Sequence, residues 1–327
     1  MRDLHPNLGS PAKPRGAFLW LRLGVGASAF VAFCVLLAAL AMTRPAMGEV
    51  FVTTEQLAQR IAAEAQRTQD TGDGDWHDAV RPLVIVHVGH GRRGYDRGHI
   101  PGAIYVEGRE TYAERDGIKT VLPTPEDFAV RLGQHGLGPG TDLLLYGDAA
   151  GVFPARMYAG LSMLGLDENA RLLDGHLREW LAQERAVSTE SSAREPITFD
   201  VRARPAWFPN GAQIVDSRST DAFAGDKAIP GTDARGHLPN SVNLPWRTLI
   251  PDIKRPTLVL DASERLREAL GPSRLRSFVV LDDRGNGSAV LFAILRHSMY
   301  SVDWDDRGLG GRAMDGEAFV KSDAPNP

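Results

Sequence analysis

FVVLDDRGNGSAVLFAILRH, residues 278–297, is the stretch that decides how the rest of the chain is read. Phe278–Leu281 is a short apolar run of the kind that forms a buried strand. Asp282-Asp283-Arg284-Gly285-Asn286-Gly287 is a polar, glycine-bearing loop, and Ser288 stands where an N-cap would open the apolar helix that follows. A strand that ends in such a loop and feeds a helix N-terminus gathers backbone N–H groups into a cradle. The unpaired donors and the helix dipole both favour an anion there. The same order occurs earlier, as Leu143–Tyr146, the loop Gly147-Asp148-Ala149-Ala150-Gly151-Val152-Phe153, and a helix from Pro154. The most telling residue in each loop is an aspartate.

Outward from these two loops the order of elements repeats. Leu83–Val88 and Ile214-Val215-Asp216 read as strands, and Gly236-His237-Leu238-Pro239-Asn240-Ser241-Val242 echoes Gly98-His99-Ile100-Pro101-Gly102-Ala103-Ile104. His99 precedes Asp148 by 49 residues and His237 precedes Asp282 by 45, a spacing that suits a duplicated domain rather than a solenoid. Short apolar strands alternating with helices predict an α/β fold with parallel sheets covered on both faces. Thr53 is expected to cap a first helix, and Thr124-Pro125-Glu126-Asp127 carries the signature of another helix start. Ala186–Pro196 lacks periodicity and reads as linker. The expected organisation is a hydrophobic N-terminal segment over 1–48, domains over 49–185 and 205–327, and a linker over 186–204.

The 37 basic and 41 acidic residues among 327 form no long block of one sign, which argues against non-specific nucleic-acid binding. Cys34 is the single cysteine, so no disulfide framework, Cys-rich zinc site or redox pair can form within one chain. It lies in Leu23–Met42, 20 residues without a charge and long enough to cross a bilayer. Basic residues before that span place the N-terminus in the cytoplasm. The span is read either as a membrane anchor or as a signal peptide cut after Ala41 or near Gly48, and both put the remainder in the cell envelope or outside the cell.

VTTEQLA, RGHIPGA, LPTPEDFAVRLGQHG, LLLYGD, LLDGHLREW and VDSRSTDAFAG…RGHLPNSVNLPW, in this order, resemble the tandem rhodanese-like proteins, the thiosulfate and 3-mercaptopyruvate sulfurtransferase family. The resemblance runs from about Val50 to Asp306. It implies two α/β domains, each with a central parallel sheet, and a site in the second. In active members a cysteine opens the strand-to-helix loop, and its thiolate takes up a sulfane sulfur as a persulfide held by the loop amides. That position falls on Asp282 here, and on Asp148 in the first domain. A carboxylate cannot form a persulfide, and no metal or positioned acid is evident that would make it an acyl-type nucleophile. Asp282 is expected instead to accept the loop's own N–H groups and so compete with an external anion.

The expected cradle comprises Asp282, Asp283, Arg284, Gly285, Asn286, Gly287 and Ser288, with Arg284 either holding an anion or exposed to solvent. Asp216 and Arg218 match a family Asp-x-Arg and either support the site by charge or form a structural ion pair. His237 and His99 are expected to be buried framework residues. His87, His90 and His99, with Asp148, are a candidate metal set. Asp303-Trp304-Asp305-Asp306 is either an acidic metal cluster or a degraded turn. No cofactor is implied. The expected function is non-catalytic binding of a small oxyanion, a sulfur species or a partner protein in the envelope, with membrane contact through the N-terminal helix and no nucleic acid. The alternatives are a sulfurtransferase with residual or altered chemistry and a purely structural scaffold.

Overall fold

The computed structural model describes residues 49–71, 81–148, 151–201, 203–204, 211–250, 262–271 and 276–321. The segment Leu23–Met42, and with it Cys34, lies outside them. Among the described residues no helix is long and apolar enough to cross a membrane.

The first half runs β1 (Phe51–Val52), α1 (Thr54–Thr71), β2 (Leu83–Gly89), α2 (Arg93–Arg97), β3 (Ile104–Glu107), a hairpin of β4 (Ala113–Arg115) and β5 (Ile118–Val121), α3 (Pro125–Gln134), β6 (Asp142–Tyr146), α4 (Val152–Met163), β7 (Ala170–Leu173) and α5 (His176–Ala182). The second half runs β8 (Gln213–Asp216), α6 (Thr220–Ala224), β9 (Val242–Asn243), α7 (Ala262–Leu270), β10 (Ser277–Leu281), α8 (Gly287–His297), β11 (Ser301–Trp304) and α9 (Gly308–Met314). The first sheet has the order β1-β7-β6-β2-β3 and the second β11-β10-β8-β9. Every pairing in both is parallel. Strand for strand, the second sheet repeats the first without its edge strand.

Local chemistry explains the starts of several helices. Thr53 and Gln56 cap one another reciprocally: Gln56 N–H donates to Thr53 Oγ1 and Thr53 N–H to Gln56 Oε1. Thr124 Oγ1 accepts from Asp127 N–H ahead of Pro125 in the first turn of α3. Two starts differ from the sequence reading. Helix α4 begins at Val152, two residues before Pro154, because Gly151 takes the left-handed conformation (φ 67°) that caps it. Helix α8 begins at Gly287, so Ser288 lies inside the first turn, and its hydroxyl accepts from Trp304 Nε1–H (2.9 Å) instead of capping.

The strands are buried on both faces, as the continuous run Val84, Ile85, Val86, His87, Val88 shows. One hydrophobic cluster spans both sheets and includes Val86, Leu145, Val215, Val280 and Leu291. The helices that follow the two aspartate loops, α4 and α8, pack on one another inside it, with Tyr158 and Phe292 rings 6.1 Å apart.

The stretch read as linker is bound rather than free. His99 and Ser188 exchange both backbone hydrogen bonds, Ile197 N–H donates to Gly133 O, and Arg204 N–H to Met163 O. In the second half His237 and Val320 exchange the same pair of bonds. The two histidine turns match in detail as well. His99 stacks on Tyr95 and His237 on Phe223, both at 3.7 Å between ring centroids. Each Nδ1 contacts the carbonyl of the ring it covers, at 2.8 and 2.9 Å.

Candidate functional site

Strand β10 delivers Asp282 to the mouth of the loop, where it is 7% exposed. Its Oδ1 accepts from the N–H of Arg284 (2.8 Å) and of Gly285, and its Oδ2 from the N–H of Ser288 (2.9 Å). Gly285, at φ 69°, turns the chain so that these amides converge. The cradle is therefore filled by its own carboxylate. Trp246 packs against the start of α8. A Cβ at Gly287 would overlap the Trp246 indole.

From behind, Arg156 of α4 reaches the loop across the interface between the halves. It is fully buried, and all five N–H groups are accounted for. Nε donates to Thr111 Oγ1 (3.3 Å), Nη1 to the carbonyls of Arg284 (3.1 Å) and Gly285 (3.0 Å), and Nη2 to those of Thr111 (3.0 Å) and Thr120 (2.9 Å). Its guanidinium lies 4.0 Å from the centre of the Tyr112 ring, and Tyr112 Oη donates to Asn286 Oδ1 (2.5 Å). Burial pushes the Arg156 pKa down, while the charges of Asp282 and Asp306 work the other way. Sequence reasoning missed this residue. The available signal was one arginine in the otherwise apolar α4, VFPARMYAGLSM.

Asp216 and Arg218 form a buried ion pair. Arg218 Nη2 is 2.6 Å from Asp216 Oδ2, Nε contacts both carboxylate oxygens, and the Arg218 N–H donates to Oδ1. Burial opposes the Arg218 cation, but the hydrogen bonds and charge of Asp216 outweigh it and raise its pKa. Nη2 also donates to Gly236 O (2.7 Å), and Nη1 lies 3.4 Å from Asp283 Oδ1. Burial pushes Asp283 up to about 6; Arg218 counteracts it, and Asp282 and Asp216 add to it. Arg284 is exposed.

In the first loop the aspartate meets a histidine. Asp148 is half-exposed and its Oδ1 lies 3.3 Å from His87 Nε2. Contact with His87 holds the Asp148 pKa below the usual carboxylate range; burial opposes this and Arg97 assists it. His176, at the start of α5, is buried, and neither ring nitrogen has a hydrogen-bond partner among the described residues. Burial, and then the nearby His87, push its pKa down to about 4. Its Nε2 faces Gly151, where a Cβ would collide with it.

The histidine metal set is not assembled. His87 meets Asp148, His90 Nδ1 turns to Glu107 (3.3 Å), and His99 is fixed between the carbonyls of Tyr95 and Glu190. Among the described residues no three His, Cys, Asp or Glu groups are placed to hold a metal. The acidic run 303–306 is likewise committed to the fold. Asp305 accepts from the N–H of Arg307 and Gly308 and pairs with Arg312, and Asp306 accepts from Leu122 N–H.

Residues 62–183 match the rhodanese-like domain. The chain is also similar in sequence to sulfurtransferases. It is 28% identical over 222 residues to 3-mercaptopyruvate sulfurtransferase of Homo sapiens, covering 63% of this chain and 72% of that one. It is 27% identical over 197 residues to thiosulfate sulfurtransferase of Azotobacter vinelandii, covering 57% and 71%. In fold it resembles an anaerobic ergothioneine biosynthesis enzyme from Chlorobium limicola, with a TM-score of 0.63 at 18% identity over 80% of this chain and 70% of that one.

Proposed function

We propose that this chain is a tandem rhodanese-like protein, 49–185 and 205–327, in which the position of the sulfur-carrying cysteine is held by a carboxylate and sulfur transfer has been lost. One observation carries this reading: the Asp282 carboxylate accepts three loop amides. In the sulfurtransferase family those amides would hold the persulfide, and here they are already occupied. A free oxyanion entering the loop would displace a covalently tethered one at high effective concentration. Recognition therefore falls to other surfaces, and the second loop acts as a structural joint between the halves. The matched histidine turns and the repeated strand order support the duplication. The charge-free span Leu23–Met42 supports placement in the cell envelope, tethered or released.

A thiosulfate:cyanide sulfurtransferase assay on the purified protein tests the reading, with Asp282→Cys as comparator. The expected result is no transfer by the unmodified chain. Transfer by the unmodified chain above the uncatalysed rate would overturn it.

A further inference from the structure

The first loop opens onto a cleft. The space has a volume of about 550 Å³ and lies between α2, the Asp148 turn and α5. That is within the usual range of small-molecule sites, roughly 300–1,000 Å³. Three kinds of surface meet there. Arg97 and Arg178 supply two guanidinium groups, both on exposed residues and neither with an ion-pair partner among the described residues. Asp148 supplies one carboxylate, kept ionised by its contact with His87 and by Arg97. Leu177, Leu181 and Val187 supply an apolar wall, of which Leu181 is 50% and Val187 44% exposed, large values for side chains of that type.

Each surface excludes a class of ligand. A simple anion would be drawn by the arginines but would face the Asp148 charge with no donor to offer it. A simple cation would be repelled by two guanidinium groups. A fully polar ligand would leave the leucine and valine wall wet. What satisfies all three is a molecule with a carboxylate for the arginine forks, an ammonium for Asp148 and an apolar body. We propose that this cleft binds an α-amino-acid zwitterion with an apolar side chain, its carboxylate on Arg97 and Arg178, its ammonium on Asp148, and its side chain on Leu177, Leu181 and Val187. The inference is independent of the Asp282 loop.

The test is calorimetric titration of the full chain with L-leucine and the dipeptide Leu-Leu. Leucinamide, which lacks the carboxylate, and 4-methylpentanoate, which lacks the ammonium, are the controls. The expected result is saturable binding of a zwitterion, with leucine favoured over Leu-Leu if the source is a free amino acid and the reverse if it is a peptide end. Both controls bind at least about tenfold more weakly, the worth of one lost charged contact. Arg178→Gln and Asp148→Asn each lower the affinity by about the same factor. Because Arg178 is exposed, its substitution leaves the melting temperature unchanged. Asp282→Ala leaves binding unchanged, so this proposal and the account of the second loop fail separately. Absence of saturable binding by both zwitterions, equal binding of 4-methylpentanoate, or unaltered affinity in both charge variants would overturn the proposal.

Discussion

Replacing Arg156 by methionine keeps the apolar stem and removes the guanidinium. Four carbonyls, two in each half, then lose a charged donor; the bonds to Gly285 and Thr111 are fully buried and those to Arg284 and Thr120 partly so. A buried acceptor left unpaired costs about 1–3 kcal/mol, and such costs are not additive. Against them stands the relief of no longer burying a cation, whose desolvation is itself several kcal/mol. The net loss should therefore be set by the two fully buried carbonyls, Gly285 and Thr111, and amount to about 2–3 kcal/mol. That is a large share of a typical stability of about 5–15 kcal/mol. Denaturant unfolding at pH 7 measures it. Arg156→Lys is a useful second variant, because an ammonium keeps the charge but offers three donors and no planar face for Tyr112. It should recover less than half of the loss. Hydrogen exchange gives the location: the amides of Arg284, Gly285 and Ser288 should lose protection more than those of β2. A loss below about 1 kcal/mol for Arg156→Met, with unchanged protection of the loop, would refute the idea that this residue joins the halves.

His176 titrates near 4 when folded against 6.5 when unfolded, so the unfolded chain takes up the proton first. Its contribution is present above pH 6.5 and is lost as pH falls towards 4, amounting to about 2 kcal/mol between pH 7 and pH 5. His176→Gln should flatten that part of the stability curve, and an unchanged slope would contradict the burial argument. Asp283 runs the other way. Its folded pKa of about 6 lies above the ordinary 3.8, so its favourable contribution is present in acid and is lost as pH rises through 6. Allowing for partial exposure, Asp283→Asn should gain about 1–2 kcal/mol on the wild type between pH 4 and pH 7, measured as a difference in unfolding free energy. Gly287→Ala should destabilise by roughly 1–3 kcal/mol because the added methyl meets Trp246, and Trp246→Leu in the same chain should recover part of that loss.

The parallel α/β pattern and the two loops were legible because both are written in local signals: apolar runs, glycines, caps and a repeated histidine turn. What the sequence did not show depends on contacts across the fold. Arg156 lies 128 residues from the Arg284 carbonyl it binds, and no short-range pattern announces such a bond. Ser288 was misread as a cap because its hydroxyl is taken by Trp304, a partner 16 residues away. His90 and His99 stand close to His87 in sequence. A strand, the loop after it and the turn that follows α2 nevertheless send the three rings to different partners. The Asp148 and Asp282 loops share a strand–loop–helix grammar as sequence, yet Asp282 turns to its own loop amides and Asp148 meets His87 of β2.

The occupied second cradle is tested most directly by removing its occupant. Asp282→Ala leaves the Arg284, Gly285 and Ser288 amides without an acceptor and opens a space the size of a carboxylate. Thermal unfolding of wild type and variant is followed while formate or sulfate is titrated at constant ionic strength. The account predicts that the variant melts lower and that the anion restores its melting temperature in a saturable way, because the anion binds only the folded loop, while the wild type does not respond. An equal anion response in the wild type, or none in a folded variant, would contradict it.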